Sequence, residues 1–150
     1  MKIKKILEDE NLVSFDVCEQ RGKTGIPKSG QYVLNIVWSG DRLMSDPTKV
    51  LITFGVAVYD GEGQYIPRDG LGIAYRRYKK DPLKFTMRIS DIEKFDNPEN
   101  SLAVYMLHHL SEMISKENYL FSKTSKHRDE IIDICRYTVL QYHQVEKQGV

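Results

Sequence analysis

Residues 49–89 read KVLITFGVAVYDGEGQYIPRDGLGIAYRRYKKDPLKFTMRI, and the parsing of this stretch decides the fold. Val50, Ile52, Phe54, Val56 and Val58 recur at period two, and the intervening Leu51, Thr53, Gly55, Ala57 and Tyr59 carry no charge. A strand that is apolar or small on both parities belongs inside a sheet that is covered on both faces. Asp60-Gly61-Glu62-Gly63 supplies a turn. The chain returns through Gln64, Tyr65 and Ile66, and Pro67, which has no N–H to donate, marks an edge or a break in pairing. Arg68-Asp69-Gly70 is a second turn signal. Leu71, Ile73 and Tyr75 then alternate with Gly72, Ala74 and Arg76, and Lys79-Lys80-Asp81-Pro82 turns again. Leu83, Phe85, Met87 and Ile89 alternate with Lys84, Thr86 and Arg88, as in a strand with one buried and one wet face.

Upstream, Ile3, Ile6 and Leu7 suit either a helical turn or a strand. Leu12 to Cys18 reads as a strand, and Gln31 to Ser39 as another that is apolar on both parities. Between them Glu19 to Gly30 is rich in Gly, Lys and Pro, with no periodicity, and reads as a long connection. It contains Gly22-Lys23-Thr24 but lacks the upstream Gly and following helix that a phosphate loop requires. Gly40 to Thr48 is a loop. Downstream, Ser90-Asp91-Ile92-Glu93 fits a capping box. Asn97-Pro98 starts a helix running to about Lys116, with Leu102, Tyr105, Met106, His109, Leu110 and Met113 as its apolar stripe. Ser125 caps a second helix to about Glu146, facing inward with Ile131, Ile134, Cys135, Thr138, Val139, Tyr142 and Val145.

These signals predict an α+β fold: an antiparallel sheet of about five strands, residues 12–89, followed by two antiparallel C-terminal helices packed on it. A chain of 150 residues, 41% hydrophobic and 29% charged, fits a single domain spanning 1–150. No apolar run approaches membrane-spanning length, and the start MKIKKILEDENL has no apolar core of a secretion signal, so a cytoplasmic protein with no membrane partner is expected. Cys18 and Cys135 are the only cysteines and are expected to be reduced thiols. Two helices cover only one face of a sheet, so the apolar second face of the central strands implies a homo-oligomer.

The net charge of +1 hides an asymmetry. Residues 68–88 hold seven basic and two acidic side chains, hence +5, and residues 89–150 hold seven basic and ten acidic, hence −3. The basic, aromatic run Tyr75-Arg76-Arg77-Tyr78-Lys79-Lys80, with Arg68 before it and Arg88 after it, is the candidate ligand-binding region. Guanidinium groups fork onto phosphate and tyrosines stack on bases. The expected function is non-catalytic binding of an anionic ligand, nucleotide-like or nucleic-acid, with sequestration of a signal nucleotide as one role. The overall charge is too balanced for a non-specific DNA coat.

Other chemistries are less developed. His108 and Glu112 stand one helical turn apart, but no HExxH spacing accompanies them, and no metal is expected. No nucleophile–base arrangement is visible, so no catalytic residue and no cofactor is assigned. Arg68-Asp69-Gly70-Leu71-Gly72-Ile73-Ala74 resembles the pyrophosphate-binding turn of the acetyltransferase family that uses acetyl-CoA, with Arg68 one residue closer to Gly70 than in that pattern. The resemblance implies CoA-dependent acyl transfer as the alternative function. A protein–protein adaptor or inhibitor with no small ligand is the third reading.

Overall fold

The computed structural model describes residues 3–19 and 31–148, so the Gly22-Lys23-Thr24 stretch lies outside the described residues. In chain order the elements are α1 (Ile3–Asp9), β1 (Val13–Cys18), β2 (Val33–Arg42), β3 (Lys49–Tyr59), α2 (Pro67–Lys80), β4 (Leu83–Arg88), α3 (Ile89–Ile92), α4 (Pro98–Glu117) and α5 (Arg128–Gln148). The class is α+β. Its sheet has four strands rather than five, in the order β1-β2-β3-β4. β1 and β2 are antiparallel, with Val13 opposite Trp38 and Cys18 opposite Val33. At the far edge, the Ile89 N–H donates to the Thr48 carbonyl at 2.9 Å, placing the end of β4 beside the start of β3. Those two strands therefore also run antiparallel.

The missing strand is α2. Residues 67–80 form a helix where period-two alternation predicted a turn and a strand. Leu71, Ala74, Tyr75 and Tyr78 also recur at spacings of three and four, and this second period is the one the fold uses. Pro67 stands at the first helical position, where its missing N–H leaves no partner unsatisfied. Ala74 is fully buried in a cluster with Leu7, Leu12, Val37 and Ala57, flanked by Leu71, Tyr75 and Tyr78. Tertiary burial thus selects the helix over the strand.

α2 lies directly against β3. A Cβ added at Gly55 would fall 2.3 Å from the Ala74 carbonyl oxygen and 2.4 Å from the Tyr78 nitrogen, so the helix backbone rests on the strand where the side chain is absent. One added at Gly70 would fall 2.1 Å from Asn35 Oδ1, so the start of α2 closes over β2 in the same manner. Both parities of β3 are buried: Ala57 on this face, and Ile52, Phe54 and Val56 on the other. Phe54 meets Phe85 of β4 edge to face, with centroids 6.0 Å apart. The apolar central strands are therefore buried within one chain, and their burial does not call for the homo-oligomer expected from sequence, because residues 67–80 form cover rather than sheet.

The chain divides into two compact units, 1–41 with 51–86 and 42–50 with 87–150. The first holds α1, α2 and most of the sheet. In the second, α4 and α5 form an antiparallel helical pair. Near the end of α5, the Glu146 carboxylate accepts from the Asp96 N–H at 2.8 Å and the Asn97 N–H at 3.4 Å, at the start of α4. At the opposite end, Arg128 Nη2 of α5 donates to the Ser115 carbonyl of α4 at 2.7 Å. Asn97 caps α4 as expected, its side chain accepting from the Glu99 N–H at 3.0 Å. The capping box at Ser90–Glu93 does not form; α3 starts after Arg88 with no side-chain cap. α5 starts at Arg128 rather than at Ser125, whose hydroxyl instead accepts from the His127 N–H at 3.3 Å.

The buried face of α4 is rotated from the expected stripe. Ala103, Met106, Leu107, Leu110 and Ile114 are buried, while Leu102, Tyr105, His109 and Met113 are half-buried. Small residues explain the difference, since Ser101, Ala103 and Ser111 are buried and add no weight to a pattern built on large side chains. On α5, Ile131, Ile134, Cys135 and Thr138 are buried as expected, and the stripe fades to an exposed Val145.

Candidate functional site

α2 carries seven of the eight residues singled out as a ligand-binding region. Asp69 lies in its first turn, and Arg77, Lys79 and Lys80 in its last, each sign placed where the helix dipole favours it. The helix ends at Asp81, whose N–H bonds the Arg77 carbonyl at 2.9 Å. These side chains sort into three groups by what they touch.

Arg77 and Tyr78 hold the fold. Arg77 Nη1 donates to the Val56 carbonyl of β3 at 2.8 Å. β4 has six residues against eleven in β3, and counting back from the Ile89–Thr48 bond it reaches only to about Phe54. Val56 lies beyond that point, so the guanidinium satisfies a strand carbonyl that β4 does not reach. Tyr78 Oη shares a 2.7 Å hydrogen bond with Ser39 Oγ of β2.

Tyr75 and Lys79 are turned toward α1. Both contact the carboxylate of Glu10, just past that helix. The phenol hydrogen bond, ahead of the one from Lys79, holds the Glu10 carboxyl below its ordinary range. The same carboxylate raises the pKa values of Tyr75 and Lys79.

Arg68, Arg76 and Lys80 form the third group. All three are exposed and have no hydrogen-bond or ion-pair partner among the described residues. Gly72 and the partly exposed Ile73 lie between them. Arg88, the eighth residue, belongs to the other unit, where its charge helps lower the pKa values of Asp46 and Asp91. The larger causes there are the Thr48 hydrogen bonds to Asp46 and the Lys94 hydrogen bond to Asp91. Arg88 thus has acidic company within its own unit.

The region predicted to be a basic, aromatic sheet is therefore a basic helix face. Its tyrosines are engaged at their hydroxyls, Tyr75 with Glu10 and Tyr78 with Ser39. The turn that resembles the acetyltransferase pyrophosphate site is the first part of α2. The amides of Asp69 and Gly70 bond back to the Ile66 carbonyl at 3.0 and 3.3 Å, and Pro67 has no N–H, so these positions offer no free cradle. Gly70 serves close packing on Asn35 instead.

Asn35 is a polar side chain buried in the middle of β2, with 3% exposure. Its Nδ2 donates to Tyr65 Oη at 2.9 Å, across the loop that leads into α2. Asp16 of β1 stands opposite it in the ladder. Sequence reading passed over Glu10, Asn35 and Tyr65. Asn35 was legible as a polar residue inside an apolar strand. Nothing in the sequence couples Glu10 to a helix 65 residues later.

On α4, Glu112 is paired with Lys116 at 2.5 Å and His108 is exposed. Burial, and then the neighbouring His108, lower the His109 pKa. Among the described residues no group of three His, Cys, Asp or Glu is placed to hold a metal ion, and no helix is long and apolar enough to cross a membrane. No protein-family model, curated protein or solved structure matches this chain.

Proposed function

We propose that this is a non-catalytic binding protein whose α2 surface takes an extended anionic ligand, a single strand of nucleic acid, along Arg68, Arg76 and Lys80. The observation that carries the reading is the set of three cations on the outer face of one helix, with no partner among the described residues, in a chain of net charge +1. At 1.5 Å of rise per residue they span roughly 18 Å, with Arg76 and Lys80 about 6 Å apart. Charges on a convex helix diverge. A mononucleotide needs a concave site with converging groups, whereas a phosphodiester chain, with about one phosphate per 3.4 Å of duplex axis in each strand, suits a row. Sequestration of a signal nucleotide is therefore the less favoured form of the idea.

The test is fluorescence anisotropy of a labelled oligothymidylate of about twenty nucleotides across a range of salt. Binding should weaken steeply with salt. Arg76→Ala with Lys80→Ala should lower affinity about tenfold and flatten the log–log salt slope by about 1.4, two contacts at roughly 0.7 each. Arg77 is unsuitable for this purpose because its loss disturbs β3. Absence of binding at about 20 mM salt, or a double variant with an unchanged slope, removes the reading and leaves a protein–protein adaptor as the alternative.

A further inference from the structure

Glu10 Oε1 accepts a hydrogen bond of 2.7 Å from Tyr75 Oη, and its Oε2 lies 3.1 Å from Lys79 Nζ. Lys79 Nζ stands 5.9 Å from the centre of the Tyr75 ring, so phenol and ammonium, one helical turn apart on α2, point to the same place. Both groups offer donors to one carboxylate, and that carboxylate comes from a different helix.

We propose that Tyr75 and Lys79 form an anion-binding pair that Glu10 fills in the free protein, and from which a phosphate of the bound strand displaces it. The proposal rests on α2 being the ligand-binding surface. A phosphate has the same requirement as the carboxylate, donors aimed at two oxygens, and presents more oxygens and more charge. The contact is open to solvent, with the Lys79 side chain 51% and the Glu10 side chain 33% exposed. Ion pairs this exposed are weakly held, so an incoming anion can exchange with the resident one. Displacement would add Lys79 to the row of Arg68, Arg76 and Lys80. Glu10 would then act as an internal competitor that sets the threshold for binding.

Two measurements test this, using the intact chain with Glu10→Gln and, as a charge control, Glu8→Gln. Glu8 is exposed on α1, and this change removes the same charge without touching the pair. In oligothymidylate binding, Glu10→Gln should gain about three- to fivefold in affinity and steepen the salt slope by about 0.7, the signature of one further cation reaching a phosphate. Glu8→Gln should gain less than half of that with no change of slope. Equal effects from the two variants would mean that only long-range charge matters, and the pair would be no more than a tether for α1.

The second measurement is an NMR titration with inorganic phosphate, observed at Tyr75 and Lys79. Saturable shifts should appear in Glu10→Gln at concentrations that leave the wild type unmoved. No shift in Glu10→Gln overturns the anion site, whatever the oligonucleotide does. Phosphate binding without oligonucleotide binding would keep the anion site and remove the nucleic-acid reading.

Discussion

Gly55 shows how little room separates α2 from the sheet. The atoms nearest to an added Cβ there are backbone, Ala74 O and Tyr78 N, and neither can rotate away. Gly55→Ala must shift the whole helix or the strand. It should lose about 3 kcal/mol of stability, at the upper end of what overpacking costs, read as a lower urea midpoint with an unchanged m-value. A loss under about 0.5 kcal/mol would mean that helix and strand are not in contact. In the sequence Gly55 was visible only as a small residue in a strand, because the partner that explains it lies about twenty residues further on. Glu10 is opaque for the same reason. A charged residue after a short helix has an ordinary solvated reading, and only the fold brings it to Tyr75 and Lys79.

α2 is the element at which sequence periodicity and structure part. Its sequence, PRDGLGIAYRRYKK, holds two glycines and a proline, all strong turn signals, and its apolar residues satisfy period two and period 3.6 over the same span. The start signal was present, since proline at the first helical position followed by an acid is a helix N-terminus. Two glycines outweighed it. Gly70 is explained by its packing on Asn35, but Gly72 has no neighbour within 4 Å of an added Cβ. Gly72→Ala should therefore stabilise the protein by about 0.5–1 kcal/mol, the helix-interior difference between the two residues. Thermal melting checks this, and a lowered midpoint would contradict a helix with an open outer face at residue 72. The strands 12–18, 31–39, 50–59 and 83–89 and the two long C-terminal helices were legible because one period dominates each. Arg68, Arg76 and Lys80 were legible as cations, and their helical spacing was not.

The buried thiol of Cys135 ties the protonation of the molecule to its folding. Burial pushes it up to about 12, with Arg136 acting weakly in the opposite direction. In the unfolded chain the same thiol ionises near its ordinary value of about 8.5–9. Between those limits the folded state binds the extra proton, so raising pH favours unfolding. The contribution is complete below about pH 9 and falls by about 1.4 kcal/mol for each further pH unit. Urea midpoints from pH 8 to 10.5 should fall more steeply in the wild type than in Cys135→Val, which keeps an apolar group at the site. Parallel profiles would show that the thiol is reached by water in the native state.

Arg77 has a consequence that reaches beyond its own hydrogen bond. β3 outruns its neighbour, and a strand that does so leaves an open rung onto which a foreign peptide can add and seed fibrous growth. The guanidinium sits on that rung at the Val56 carbonyl. Arg77 thus covers a rung of β3 that would otherwise be open to templated aggregation.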